Sequence, residues 1–303
     1  MNVLYWLENI RIPVLNEFML QITRFGEETA FLVAALIVFW CVNKRLGYYI
    51  LSVGFLGTIA NQFMKLWFRI PRPWVLDENF TILEQAREAA SGYSFPSGHT
   101  QSAVGTFGSL AYATKKRWLR YTFLAIAILV PFSRMYIGVH TPKDVLVAAA
   151  IGVLLIFLLR PICTEDGKKW MPYLLGVMLL CGAGFMAYVS FASFPADIDP
   201  HNLESGYENA YTLFGALLGM LTVYVVDEKW LNFQVKAVWW AQILKVALGL
   251  SAVLVVKSGL KAPLNTLFGE YPGRMLRYFL IVIVAGIVWP LTFCWFAKLG
   301  KKG

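Results

Sequence analysis

The sequence predicts an all-α membrane protein, a polytopic transmembrane bundle of about nine helices. Three observations carry that prediction. Of 303 residues, 58% are hydrophobic and only 15% are charged. Counted as soluble domains usually are, with Gly included and Tyr left out, the apolar share is about 61%, against about 45–50% for soluble chains. The charges fall in clumps between apolar runs, and no connection is long enough to hold a soluble domain.

The first 27 residues open with "MNVLYWLENIRIPVLNEFMLQITR", where Glu8, Arg11, Pro13 and Glu17 interrupt the apolar run. No cleavable signal peptide is expected, because the start is not basic. The pattern suits an amphipathic segment lying in the interface, with Tyr5 and Trp6 at headgroup level. Spanning helices, each needing about 20 mainly apolar residues, follow at roughly 28–43, 46–68, 97–114, 118–137, 143–160, 171–191, 208–226, 240–258 and 275–297. The domain reading is an interfacial segment 1–27, a catalytic core 28–160 and additional spans in 161–303.

The net charge of +9 reflects basic loops at a membrane surface, so no nucleic-acid partner is expected. Cys41, Cys163, Cys181 and Cys294 lie far apart with no ligand spacing and read as packing residues. Basic residues in the loops 43–46 and 114–120, against none in loop 192–207, put the first set in the cytoplasm. "TKKRW" at 114–118 is one such topology signal. The amino terminus and the connections 69–96, 138–142 and 192–207 then lie outside, and the carboxyl terminus inside. A bacterial plasma membrane is the expected location.

Three polar stretches interrupt the apolar chain on that outer side. In "KLWFRIPRP", residues 65–73, Lys65 closes a span and Pro71 and Pro73 stop the helix. Lys65 and Arg72 are two cations near a membrane that call for an anion. In "FPSGH", residues 95–99, Ser97 is a natural N-cap and Gly98 permits close backbone approach. The helix that follows turns its positive end towards a phosphate. His99 stands at its edge, placed to give a proton to a leaving oxygen.

In "SRMYIGVHTPKD", residues 133–144, Arg134 offers a planar fork for phosphate oxygens. Asp144, four residues after His140, can hold the imidazole in one tautomer and activate it as a nucleophile. Thr141 and Pro142 also read as the cap and first position of a helix. Three cations, a helix start, two histidines and one carboxylate are equipment for phosphoryl transfer. They come with no carboxylate cluster suited to magnesium, so no metal and no cofactor is expected.

Lys65 and Arg72-Pro73, then Pro96-Ser97-Gly98-His99, then Ser133-Arg134, His140 and Asp144 resemble the signature of type 2 phosphatidic acid phosphatases, the PAP2 family, in order and spacing. The resemblance implies that His140 attacks phosphorus, that Asp144 orients it and that His99 protonates the leaving group. It further implies that Lys65, Arg72, Ser97, Gly98 and Arg134 hold the phosphoryl oxygens, without a metal. The nine-span layout resembles the sphingosine-1-phosphate and glucose-6-phosphatase branches.

Elsewhere the sequence is quieter. Gly215 and Gly219 are spaced for close helix packing. Lys245 and Lys257 read as snorkelling. Asp197, Asp199, His201 and Glu204 read as a solvated loop, or a lid, rather than a metal site. The expected activity is hydrolysis of a lipid phosphate or diphosphate, with membrane lipid and bilayer as partners. The alternatives are a sugar-phosphate phosphatase, a non-catalytic transporter or binder of phosphorylated ligands, and transfer to an acceptor other than water.

Overall fold

The computed structural model describes residues 1–87, 90, 92–164, 167–196 and 198–299, so Asp197 lies outside the described residues. Those residues form helices and connections, with no strand among them. In chain order the helices are α1 (Asn2–Asn9), α2 (Pro13–Thr23), α3 (Glu28–Ile37), α4 (Lys44–Phe68), α5 (Pro73–Leu76), α6 (Gly98–Ala113) and α7 (Arg117–Tyr136). There follow α8 (Pro142–Leu158), α9 (Gly167–Phe191), α10 (Pro200–Val226), α11 (Trp239–Gly259), α12 (Lys261–Phe268), α13 (Glu270–Ile283) and α14 (Phe293–Lys298).

Two compact units interleave along the chain. The first takes Met1–Ala34, Ile50–Arg160 and Pro195–Ser205; the second takes Ala35–Tyr49, Pro161–Phe194 and Gly206–Gly303.

In the first unit α6 packs against α7 and α8, and α2 packs against α7. Ala103, Phe107, Ala127 and Val130 fill the space between α6 and α7. Leu7 and Met19 from the amino-terminal helices join Tyr136, Ile137 and Val139 in a second cluster. The amino-terminal stretch thus buries one face in protein, while Trp6 remains 59% exposed.

Helix ends decide where the polar stretches lie. At the end of α4, Arg69 takes a left-handed φ of 49°, and Pro71 and Pro73 prevent the helix from resuming before Arg72. After α7 the chain turns at Gly138, with φ of 89°. A Cβ there would also meet Arg11 Nη2 at 2.9 Å, so the position takes glycine on two grounds. Three residues on, Thr141 caps α8: its hydroxyl accepts from Asp144 N, the Asp144 carboxylate accepts from Thr141 N, and Pro142 occupies the first turn.

The nine expected spans are not reproduced by length and composition. Among the described residues four helices are long and apolar enough to cross a membrane: Gly167–Phe191, Pro200–Leu231, Trp239–Phe268 and Glu270–Lys298. A fifth arises if Pro13–Gly26 and Glu28–Val42, bent by 56°, count as one broken span. The difference lies in the first unit. With 16 residues α6 is about 24 Å long, short of the roughly 30 Å hydrocarbon layer. The 17 residues of α8 reach little further. Arg117, Arg120 and Arg134 dilute the apolar content of α7, and Tyr48, Tyr49, Asn61 and Gln62 do so in the uncharged stretch 46–64 of α4.

The small residues of α10 do what their spacing suggests. A Cβ on Gly215 would stand 2.1 Å from the Met275 carbonyl oxygen, and one on Gly219 would stand 2.7 Å from Val282 Cβ. Helices α10 and α13 therefore touch backbone to side. A Gly215→Ala variant is expected to lose about 1–3 kcal/mol by forcing that backbone apart. Gly176→Ala in α9, where a Cβ meets nothing within 4 Å, is expected to be neutral or mildly stabilising. Thermal denaturation of the two variants side by side checks the contrast.

Candidate active site

The site is built where helix ends release backbone groups. Ser97 caps α6, its hydroxyl accepting from Thr100 N at 3.4 Å. Its own N–H donates to the Asp144 carbonyl at 3.1 Å, which ties the start of α6 to the start of α8. Asn61 of α4 holds the same corner by donating to the Pro96 carbonyl at 3.3 Å. A Cβ at Gly98 would meet only Asn61 Oδ1, at 3.8 Å, so the backbone is open there.

His140 is 1% exposed. Its Nε2 lies 2.9 Å from Arg72 Nη1. A guanidinium has no lone pair to offer, so Nε2 must be the acceptor and Nδ1 must carry the proton. On the Nδ1 side, Ser94 Oγ stands at 3.5 Å and Asp144 Oδ2 at 3.6 Å. That carboxylate oxygen already accepts from Ser94 Oγ at 2.6 Å and from Thr141 N at 2.7 Å. Asp144 is thus a fixed anion, and the Ser94 hydroxyl links it to the imidazole.

The cations gather round the same ring. Arg72 donates to the Gly92 carbonyl at 2.9 Å and the Val139 carbonyl at 3.0 Å. Burial lowers its pKa to about 10, against the pull of Asp144, so it stays charged at neutral pH. Arg134 is 1% exposed; Nη1 donates to Thr23 Oγ1 at 2.8 Å, and Nε is buried without a hydrogen bond among the described residues. Lys65 Nζ lies 3.6 Å from the position of a Cβ on Gly92.

The fields of Arg134, Lys65 and Arg72 and the His140 ring all reach His99. Its backbone is wedged against Gly26, where an added Cβ would stand 2.8 Å from the His99 carbonyl. All eight residues singled out in the sequence therefore lie in one neighbourhood of the first unit. Three cations gather there against the buried Asp144, with Glu27 acting on Arg134 from the surface, and a phosphate dianion would add to that balance.

Residues 44–167 match the PAP2 superfamily, and residues 211–302 match its "PAP2 superfamily phosphatase, transmembrane extension". The chain is 32% identical over 164 residues to Phosphatidylglycerophosphatase B of Bacillus subtilis, covering 50% of this chain and 76% of that one. This chain belongs to the PAP2 superfamily.

It is accordingly a multi-pass membrane phosphatase. It is also 27% identical over 149 residues to Undecaprenyl-diphosphatase of Sulfolobus acidocaldarius, covering 49% and 70% of the two chains. A crystal structure of a transmembrane PAP2 type phosphatidylglycerolphosphate phosphatase from Bacillus subtilis is 30% identical, covers 55% of this chain and 84% of that one, and has a TM-score of 0.45.

The sequence missed four contributors to this PAP2 site. Ser94 carried no signal beyond a hydroxyl next to "FPSGH". Thr23 was read as part of an interfacial segment. Asn61 sits inside an apolar run, and a buried amide there was the available clue. Asn202, from the loop set aside as solvated, brings its Oδ1 to 3.4 Å from a Cβ position on Gly92, beside Lys65. Asp199 in the same loop donates its N–H to Tyr93 Oη at 3.4 Å.

Two expectations follow from the His140 environment. Burial first, then Arg72, Arg134 and Lys65, push its pKa well below 6.5, with only Ser94 opposing. The Nε2 lone pair thus survives below the ordinary imidazole value. The acid limb of kcat/KM, which reports the free enzyme, is expected below pH 6.5. The linkage has the same sign: a histidine depressed in the folded state is held neutral there. It therefore costs stability as pH falls through the unfolded value. Replacing Ser94 by Ala is expected to lower kcat about tenfold to a hundredfold, the worth of one hydrogen bond to a charged group. It should leave KM nearly unchanged; steady-state kinetics across pH read both.

Proposed function

We propose that this PAP2 enzyme hydrolyses a phosphomonoester or diphosphate of a membrane lipid at the extracytoplasmic face, through a phosphohistidine at His140. The observation that carries the reading is the His140 Nε2 lone pair, set against Arg72 at 2.9 Å and among further cations. The relatives support the lipid class: their names include phosphatidylglycerophosphatase, undecaprenyl-diphosphatase, lipid A 4'-phosphatase and sphingosine-1-phosphate phosphatase. The basic loops at 43–46 and 114–120 favour the outer side for the site.

In this mechanism Lys65, Arg72 and Arg134 hold the phosphoryl oxygens, with the N-terminus of α6 at Ser97 and Gly98. Their charge stabilises the five-coordinate state, the part that metal ions play in other phosphoryl transferases. His140 Nε2 bonds to phosphorus as the P–O bond to the lipid breaks. His99 gives its proton to the departing oxygen, and Asp144 and Ser94 stabilise the ring as it becomes cationic. A water molecule then attacks phosphorus, His99 takes its proton, the N–P bond breaks and inorganic phosphate leaves.

The test is phosphate release by the purified full chain, in EDTA, from phosphatidylglycerol phosphate, undecaprenyl diphosphate, phosphatidic acid, sphingosine-1-phosphate and glucose-6-phosphate. Wild type is expected to turn over one or more lipids and to be inhibited by vanadate. His140→Ala is expected to lose kcat on the order of 10³-fold or more. Turnover retained in His140→Ala, or confined to the sugar phosphate, would overturn the reading.

A further inference from the structure

Arg277 lies about two turns into α13, within the transmembrane extension, and is only 5% exposed. Among the described residues its guanidinium makes no hydrogen bond and no ion pair. Nε is fully buried without a partner. Its Cζ stands 5.5 Å from the centroid of the Tyr278 ring. Arg274, one turn earlier, is an instructive contrast, because it pairs with Glu208 of α10. Glu208 is thereby engaged by Arg274.

The surroundings do not supply a substitute. Gly273, one turn before Arg277, is pressed against α12, where a Cβ would meet the Leu264 carbonyl oxygen at 2.6 Å. The polar group α12 offers at that junction is the Asn265 amide, whose Oδ1 is buried and likewise unpaired, and which carries no charge. Tyr271 stacks between Tyr207 and Tyr211 of α10, with ring centroids 5.3 and 5.5 Å apart. The N-terminal parts of α10 and α13 thus carry a platform of tyrosines, a satisfied ion pair and one unsatisfied cation.

A buried cation without a counter-charge is costly, and in a membrane bundle it persists where it meets an anion. The planar fork of arginine matches phosphate oxygens better than any other acceptor group at a bilayer. Glu270–Lys298 is long and apolar enough to cross a membrane, and tyrosines near a span end favour the headgroup layer. We infer that Arg277 is the anchor of a phosphate-binding site in the first turns of α13, occupied by the headgroup of an anionic membrane lipid. The inference does not rest on the reading of His140, and it stands whatever that site hydrolyses.

The experiment is native mass spectrometry of the purified full chain with phosphatidylglycerol or phosphatidylcholine. Thermal denaturation in each lipid accompanies it, and the variants are matched for helicity and monodispersity. Wild type is expected to retain one phosphatidylglycerol that Arg277→Met and Arg277→Gln bind about tenfold or more weakly, the worth of a hydrogen-bonded charge. Arg277→Lys should keep part of that affinity, and phosphatidylcholine should not substitute. Competition by millimolar inorganic phosphate would extend the site to free phosphate; its failure would restrict the site to lipid, and both keep it. Equal phosphatidylglycerol retention in wild type and Arg277→Met would overturn the inference. So would an Arg277→Met protein more heat-stable than wild type in both lipids, as expected of a charge the fold merely tolerates.

Discussion

Uncompensated positive charge is the condition that the first unit is arranged around. Lys65, Arg72 and Arg134 converge on His140, Ser94 and Thr141 have already claimed the Asp144 carboxylate, and Glu27 acts on Arg134 from the surface. Such a cluster repels itself, so neutral dipoles must help to hold it. Arg72 is held by the carbonyls of Gly92 and Val139. Both carbonyls lie in connections, Val139 in the turn after α7 and Gly92 in the stretch before α6. The Gly138 turn therefore does more than redirect the chain. It helps to supply the dipoles that let like charges share a volume, and the helix starts at Ser97 and Thr141 leave N–H groups in the same neighbourhood.

The same logic explains how much the sequence revealed. Caps are local, so Ser97 at α6, and Thr141 with Asp144 at α8, could be read from neighbouring residue types. The helix stop between Lys65 and Arg72 was equally local. What was not legible depended on distant chain segments. Thr23 matters because α2 packs on α7 and brings its hydroxyl to Arg134, 111 residues away in sequence. Ser94 matters because it reaches Asp144 across 50 residues. Neither contact leaves a periodic or compositional trace. Gly215 was legible for the opposite reason: a small residue every fourth position on an apolar helix has few uses besides close packing.

The span count diverged for a physical reason that also bears on the chemistry. An apolar window cannot distinguish a helix solvated by lipid from one solvated by protein. Helices α6 and α8 are short, and α6 buries Thr100, Gln101, Thr106 and Ser109. A helix with that content needs neighbouring helices to cover it. The long apolar stretches Gly167–Phe191, Pro200–Leu231, Trp239–Phe268 and Glu270–Lys298 suit hydrocarbon over their length, with Tyr173, Leu180, Val255 and Leu267 each more than 70% exposed, while α7 and α8 also turn Ile128, Leu146 and Leu154 outward.

Separation of tasks along the chain is nonetheless incomplete. The first unit is not a contiguous piece, because it includes Pro195–Ser205 from beyond the PAP2 match at 44–167. That segment sets Asn202 against Gly92, whose carbonyl holds Arg72. The Asn202 amide also has a defined orientation, since its Nδ2 donates to Asp199 Oδ2 at 3.2 Å and leaves Oδ1 as the buried, unpaired end. Like the buried and unpaired Asn61 Oδ1 beside Gly98, it can take a hydrogen bond where the cations can only give one. A loop outside the signature motifs thus contributes a polar group to the same neighbourhood.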